Sequence, residues 1–363
     1  MVTMTRILNF SSGPATLPLP VLAEAQRDLL ALPGVGMSVL EIGHRSRVFE
    51  NIIEQTEEDI RSLGSISPDY KVLFLQGGGT LQFSMVPMNL LAPEATADYL
   101  VTGHWAKKAV EEAKKVGKVH IAATTQAEEF SRIPRSDEII LTPGAAYVHM
   151  TSNNTIYGTQ WKQLPDVGDS PLVSDASSDI FSGPIDITRH ALIYAGAQKN
   201  LGPSGVTIVI IREDLLTRSA ASLPSMLSYA VHAQNRSLYN TPPVFAIYLV
   251  GLVVKWLSGR GGLDAIARVN ERKAAKLYAE IDRSGFYRGT AQKESRSLMN
   301  ATFRMATGDL DKLFVQEAEA AGLDGLKGHR AVGGIRASIY NAFPEEGIEA
   351  LVAFMREFER RRG

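Results

Sequence analysis

Short apolar runs alternate along the chain with longer stretches of helical periodicity, and most of the runs end in glycine or polar residues. Asn9 to Pro20, with Gly13, Pro14, Pro18 and Pro20, reads as an irregular lead-in. Val21, Leu22, Ala25, Leu29 and Leu30 then predict a first helix that stops near Pro33-Gly34. Ser38 to Ser46 reads as a loop carrying His44 and Arg45. Val72 to Leu75 is a short buried strand that breaks at Gln76-Gly77-Gly78-Gly79-Thr80 and restarts as a helix from Leu81. Tyr99 to Trp105 is a strand ending in a turn, followed by a helix over Ala106 to Val116. Tyr147 to Met150 leads into a polar loop, Ser152 to Gly158. Pro171 to Asp175, Ala191 to Gly196 and Val206 to Ile211 complete the strands of this part. Strands alternating with helices, with polar tips after the strands, predict a doubly wound sheet whose site lies at the strands' carboxyl ends.

After Ile211 the pattern turns irregular. Leu215 to Gln234 has polar breaks, Ser237 to Pro243 is a loop, and Phe245 to Leu257 is a strongly apolar helix. Ser258-Gly259-Arg260-Gly261-Gly262 reads as the hinge of the chain, and the main domain boundary is expected there. Ile266, Val269, Leu277 and Ile281 mark an amphipathic helix, Met299 to Met305 a strand, Leu310 to Ala321 a helix and Ile335 to Tyr340 a strand. Ile348, Leu351, Val352, Met355 and Phe358 form the stripe of a last helix. Helices on a small sheet predict a separate α+β domain.

Composition narrows the function classes. Among 363 residues, 38 basic and 39 acidic side chains give a formal charge of −1, which offers no global field to nucleic acid or an acidic membrane. Any anion must meet local arginines. Cysteine is absent, which removes disulfides, thiolate metal sites and thiol nucleophiles together, and with them a desulfurase working through its own thiol. No metal site is expected. Met1 to Arg6 has no apolar signal core, and the uncharged stretch Thr241 to Val254 falls short of the ~20 residues of a spanning helix. A cytoplasmic protein is the expectation.

Two residues concentrate the chemistry. Lys199 lies at the mouth of the loop between two buried strands, and Asp175 ends another. A buried acid and a buried lysine at strand ends fit a pyridoxal phosphate site, in which the lysine forms a Schiff base with the aldehyde and the acid keeps the pyridine nitrogen protonated. A structural ion pair would use the same spacing. The strand–glycine turn–helix at Gly77 to Thr80 is an anion cradle, and it lacks the lysine of a nucleotide P-loop. Trp105 offers a flat face for stacking, Thr155 a hydroxyl for the cofactor ring, and Arg336, on a predicted strand, a planar fork for a carboxylate.

The segments Ser174-Asp175-Ala176-Ser177-Ser178, Tyr194-Ala195-Gly196-Ala197-Gln198-Lys199-Asn200-Leu201-Gly202-Pro203 and Asn9-Phe10-Ser11-Ser12-Gly13-Pro14 resemble the phosphoserine aminotransferases, pyridoxal phosphate enzymes of the class V aminotransferase group. The resemblance runs over essentially the whole chain. It implies aminotransferase fold type I, with a large, mostly parallel sheet domain over 16–257 and a smaller α+β domain formed by 1–15 and 258–363. It implies pyridoxal 5'-phosphate as cofactor, carried by Lys199 and held by Asp175, Trp105 and Thr155, with Gly79, Thr80 and Gln198 at the phosphate and Asn240 and Thr241 supplied across a homodimer interface. His44, Arg45, His329, Arg330 and Arg336 match the cluster that holds substrate anions. Some members of the group have arginine where this chain has Thr80, which shifts distal phosphate affinity onto His44, Arg45, His329 and Arg330.

The activity so implied is a ping-pong exchange between glutamate and 3-phosphohydroxypyruvate, yielding O-phosphoserine and 2-oxoglutarate for serine biosynthesis. A role in vitamin B6 (pyridoxine) synthesis is open. The residues alone leave rivals: a class V aminotransferase for alanine and glyoxylate, which needs no distal cations; a Schiff-base aldolase without cofactor; and a dimeric anion-binding protein.

Overall fold

The structure, a computed structural model, describes residues 6–363, so most of the segment inspected for a signal core, residues 1–5, lies outside it. The central sheet contains β1 (Tyr70–Leu75), β2 (Thr96–Val101), β3 (Lys118–Thr124), β4 (Val148–Thr151), β5 (Leu172–Asp175), β6 (Leu192–Gly196) and β7 (Thr207–Arg212), in the order β1-β7-β6-β5-β4-β2-β3. All neighbours are parallel except those of β7, which runs antiparallel to both β1 and β6. The connection from β6 to β7 has no crossover helix, and a short return of this kind can only place the next strand antiparallel.

Helices α1 (Leu19–Asp28), α2 (Arg47–Gly64), α3 (Gly78–Leu90), α4 (His104–Ala113), α5 (Tyr229–Gln234) and α6 (Val244–Gly259) surround this sheet. Alternate residues of β1, β6 and β7 enter different cores. Leu73, Tyr194 and Val209 pack with Phe83 and Ala109 of α3 and α4, whereas Val72, Ile193 and Ile208 pack with Phe49 of α2 and Val250 of α6. Burial on both faces is why the strands read as unbroken apolar runs.

Several elements depart from the sequence expectation. The helix expected from Leu81 begins at Gly78, because Gly77 takes a φ of +87° as its N-cap and the glycines form the first turn. The helix expected from Ala106 begins at His104, which places Trp105 in a helical first turn. Helix α2 and strand β3 have no counterpart in the pattern followed above. β3 is half-exposed on the sheet edge, and α2 carries its buried Phe49, Ile53 and Ile60 among many charges.

The second sheet is antiparallel, β8 (Arg288–Gly289), β9 (Asn300–Arg304) and β10 (Ile335–Ser338), covered by α7 (Gly262–Ile281), α8 (Gly308–Ala320) and α9 (Glu345–Arg362). Leu8–Asn9 pairs with Leu323–Asp324, and Phe10 enters this smaller core. The axis bends by 83° between α6 and α7. Helix α7 then spans both bodies, with Ile266 in the large core and Leu277 and Ile281 in the small one. Among the described residues no single helix is long and apolar enough to cross a membrane.

Candidate functional site

Strands β5 and β6 are parallel neighbours, so Asp175 and the loop bearing Lys199 emerge at the same sheet end. Asp175 is 6% exposed, and its Oδ1 accepts from the Ser177 backbone N–H at 3.0 Å and from Ser177 Oγ at 2.6 Å. Lys199 Nζ donates to Thr155 Oγ1 at 3.1 Å and lies 5.8 Å from the centre of the Trp105 ring. Burial pushes the Lys199 ammonium down against the pull of Asp175, and pushes the Asp175 carboxyl up against the pull of Lys199. A lysine of lowered pKa is more often in its neutral form, the form that attacks carbonyl carbon and accepts protons.

At the end of β1 the glycine turn leaves the first N–H groups of α3 without a side-chain cap. Gly79 fits closely here, since a Cβ on it would lie 3.0 Å from Ser177 Oγ. Thr80 is exposed in the same first turn. Gln198 accepts from the Ala15 N–H at 2.9 Å, and its side chain covers Gly196. Asn240 donates to Gln76 Oε1 at 3.2 Å, so within one chain it borders this turn, and its Oδ1 is buried without a partner. Thr241 beside it is exposed.

These residues fit pyridoxal phosphate. A lysine amine stands in front of an indole face, a buried carboxyl lies within its electrostatic reach, and a helix N-terminus with free N–H groups faces the strand ends.

The basic cluster is brought together in part. Arg336 on β10 donates through Nη2 to Ser12 Oγ at 2.8 Å, while its buried Nε has no partner. Burial lowers its pKa. The His329 ring lies 5.9 Å from that of His104, and burial together with Arg336 lowers the His329 pKa. Arg330 and Arg45 are exposed. His44 is half-buried with Nε2 unpartnered, and among the described residues no hydrogen bond or ion pair joins His44 or Arg45 to Lys199, His329 or Arg336. A cleft of about 740 Å³ opens between the two bodies, with Ile156 on one wall and Arg304, Gly328 and Arg336 on the other.

Four contributors escaped the sequence reading. Ser12 and Gly13 appear there only as part of a motif, yet Ser12 holds Arg336, and Gly13, at a φ of +138°, is so close to Lys199 that a Cβ would meet its Cγ at 3.1 Å. A glycine after two serines was the available signal. Ser177 was quoted without a role. Asp179 is a second, half-buried carboxyl, held by Ser152 and Gln160 and pushed up to about 6 by desolvation.

Residues 7–351 match the family model described as aminotransferase class-V. The chain is 55% identical over 360 residues to the phosphoserine aminotransferase of Desulfatibacillum aliphaticivorans, covering 99% of each. The solved structure of phosphoserine aminotransferase from Bacillus circulans subsp. alkalophilus superimposes with a TM-score of 0.97 at 51% identity, over 99% of each chain. The pyridoxal phosphate-bound phosphoserine aminotransferase from Trichomonas vaginalis gives 0.93 at 38% identity, over 97% of this chain and 100% of its own.

Proposed function

The chain belongs to the class-V aminotransferase family, as a pyridoxal phosphate-dependent transaminase of the phosphoserine aminotransferase group, and we propose that it exchanges an amino group between glutamate and 3-phosphohydroxypyruvate to give 2-oxoglutarate and O-phospho-L-serine. The observation that carries this reading is the Lys199 amine held in front of Trp105, beside the buried Asp175 and near enough to Arg336 for that charge to act on it. Bound pyridoxal phosphate supplies an aldehyde that exchanges amines and a ring that withdraws electrons from the substrate Cα.

The protein's own groups do the rest. With the cofactor bound, the Lys199 amine, once displaced by an entering amino acid, would take the proton from Cα and deliver it to the cofactor C4′, and would carry it the opposite way in the second half-reaction. Asp175, oriented by Ser177, holds negative charge at the ring nitrogen. Trp105 packs on the ring face and Thr155 bonds its hydroxyl. Gly79, Thr80 and Gln198 hold the phosphate, with Asn240 and Thr241 contributed by the second copy of a homodimer. Arg336 takes the α-carboxylate that both substrates carry. His44, Arg45, His329 and Arg330 take the distal anion, a carboxylate in glutamate and a phosphate in the other substrate.

The unpartnered Oδ1 of Asn240 and the exposed Leu30, Met37 and Leu40 support the dimer. The division at 16–257 against 1–15 and 258–363 is our working partition of the chain. A substrate one carbon longer fits the same pair of anion subsites, which extends the proposal to 4-phosphohydroxy-L-threonine in pyridoxine synthesis. We place the enzyme in the cytoplasm.

The test is spectroscopic. Purified protein should show a visible band near ~420 nm that bleaches with glutamate and returns with 3-phosphohydroxypyruvate, with O-phosphoserine accumulating. A band that bleaches with alanine and ignores glutamate would reject the substrate assignment.

A further inference from the structure

A path of buried side chains joins Arg336 to the loops that surround Lys199 and Asp175. Asn153 Nδ2 donates to Ser178 Oγ at 2.8 Å and to Asn300 Oδ1 at 2.7 Å. Asn300 Nδ2 donates to Ser338 Oγ at 2.9 Å and to Tyr340 OH at 3.2 Å. The Tyr340 hydroxyl donates to the Ser12 carbonyl at 2.9 Å, and Ser12 Oγ accepts from Arg336. All of Asn153, Ser178, Asn300, Ser338 and Tyr340 are buried.

The two ends of this path are informative. Asn153 precedes Thr155, which accepts from Lys199, and Ser178 follows Ser177, which orients Asp175. Asn300 and Tyr340 belong to the small sheet and the segment just beyond it. The path therefore crosses from one body to the other. Alongside it, Asn341 N–H donates to Asn200 Oδ1 at 2.9 Å, which ties the residue after Tyr340 to the residue after Lys199.

A fold seeking stability alone would fill this space with apolar side chains, as the neighbouring core does with Phe303 and Ile339. A buried network with its groups satisfied instead rigidifies one arrangement, because any slip strands a buried donor or acceptor. The Asn300 side chain shows this, with its oxygen and amide nitrogen engaging Asn153, Ser338 and Tyr340.

We propose that Tyr340 and Asn300 are positioning residues for the α-carboxylate: they fix Arg336 relative to Lys199, so that two different acids present Cα to the same amine. This rests on the reading of Arg336 as the carboxylate clamp.

The test uses the holoenzyme. Tyr340→Phe removes one hydroxyl from the path and should raise KM for glutamate and for 3-phosphohydroxypyruvate together, about fivefold, or about 1 kcal/mol. Its kcat should stay within about twofold and its visible spectrum should not change. Inhibition by inorganic phosphate, which carries no carboxylate and reads the distal subsite, should also be unchanged. Asn300→Asp turns the amide that donates to Tyr340 into an acceptor and should give the same signature, so it serves where Tyr340→Phe does not fold. Ser338→Ala, which leaves the Asn300–Tyr340–Ser12 links in place, should shift both KM values less than Tyr340→Phe does. Unshifted KM values, a loss confined to kcat, weaker phosphate inhibition, or an equal response in Ser338→Ala would each overturn the proposal. Absence of wild-type turnover would remove the functional reading and this one with it, whereas wild-type turnover with unshifted KM in the variant removes this one alone.

Discussion

The two ends of the proposed substrate site are built differently. At one end Arg336 is half-buried and tied through Ser12, Tyr340 and Asn300 to Asn153 in the loop that follows β4. At the other, Arg330 and Arg45 are exposed, His44 has an unpartnered Nε2, and His329 accepts from the nearby Ala331 N–H at 3.2 Å. The contrast follows the substrates. Every acid in the proposed reaction carries an α-carboxylate next to the reacting carbon, and on the proposed assignment that group is met by a preorganised fork. On the same assignment the far group changes between carboxylate and phosphate within one catalytic cycle, and exposed side chains have the freedom to meet both. Rigidity is placed where the substrates agree, and freedom where they differ.

The largest break in this comparison would come from Lys199→Ala, which serves both ends alike. Loss of the amine that moves the proton should lower kcat by about 10⁴-fold or more for either substrate pair, with neither end of the site disturbed. Sustained turnover without an added amine would show that another base does this work. Arg336→Ala comes next. Removing a charge-assisted fork should raise both KM values by about 30- to 100-fold, since both acids lose the same contact. A change in one KM only would mean that the fork reads the distal group instead.

Local signals made part of this arrangement legible. Strands β1, β5, β6 and β7 are buried on both faces and so read as continuous apolar runs, and Lys199 and Asp175 stand out because they follow such runs. The antiparallel direction of β7, the edge strand β3 and helix α2 did not stand out. Their placement depends on partners far along the chain, and half-exposed elements mix polar with apolar residues. The wiring of the rigid end was hidden for the same reason. Ser12 and Arg336 meet across nearly the whole sequence, and nothing adjacent to Asn153 or Asn300 marks them as buried. The glycines, by contrast, announced close approach, and Gly13 and Gly79 do lie against Lys199 and Ser177.

The adaptable end should respond more weakly and unequally. His329→Asn should raise KM for 3-phosphohydroxypyruvate by about three- to tenfold and that for glutamate less, because a phosphate carries more charge than a carboxylate. Burial, Arg336, His104 and Arg330 all lower the His329 pKa, and burial, then Lys108, Lys107 and Arg330, lower that of His104 while Glu111 opposes them. Both rings therefore take up a proton less readily than an ordinary imidazole and gain charge in acid. Wild-type affinity for the phosphorylated substrate should improve relative to glutamate as pH falls below 7, and His329→Asn should flatten that trend. Equal KM changes for the two substrates would erase the distinction between the ends.

The finest probe is Lys273, a buried lysine of α7 whose Nζ donates to the carbonyls of Ile339 at 3.0 Å, Tyr340 at 2.7 Å and Phe343 at 3.2 Å. It therefore clasps the segment that follows Arg336. Burial pushes its pKa down to about 7, with Glu345 pulling the other way. Between there and the ~10.4 of a free lysine, the unfolded chain binds a proton that the folded one does not, so this group makes stability rise with pH across that window and leaves it flat below about 7, where both states are protonated. The slope is at most about 1.4 kcal/mol per pH unit. Lys273→Met should lower Tm by leaving three carbonyls unpaired, and it should also remove the wild-type gain in Tm between about pH 7 and 9. Both KM values should rise together by less than about twofold, since the rest of the path to Arg336 remains. If the pH slope survives in Lys273→Met, the proton belongs to another group. If only the KM of the phosphorylated substrate moves, the segment after Arg336 serves the adaptable end, and the division between the two ends of the site fails.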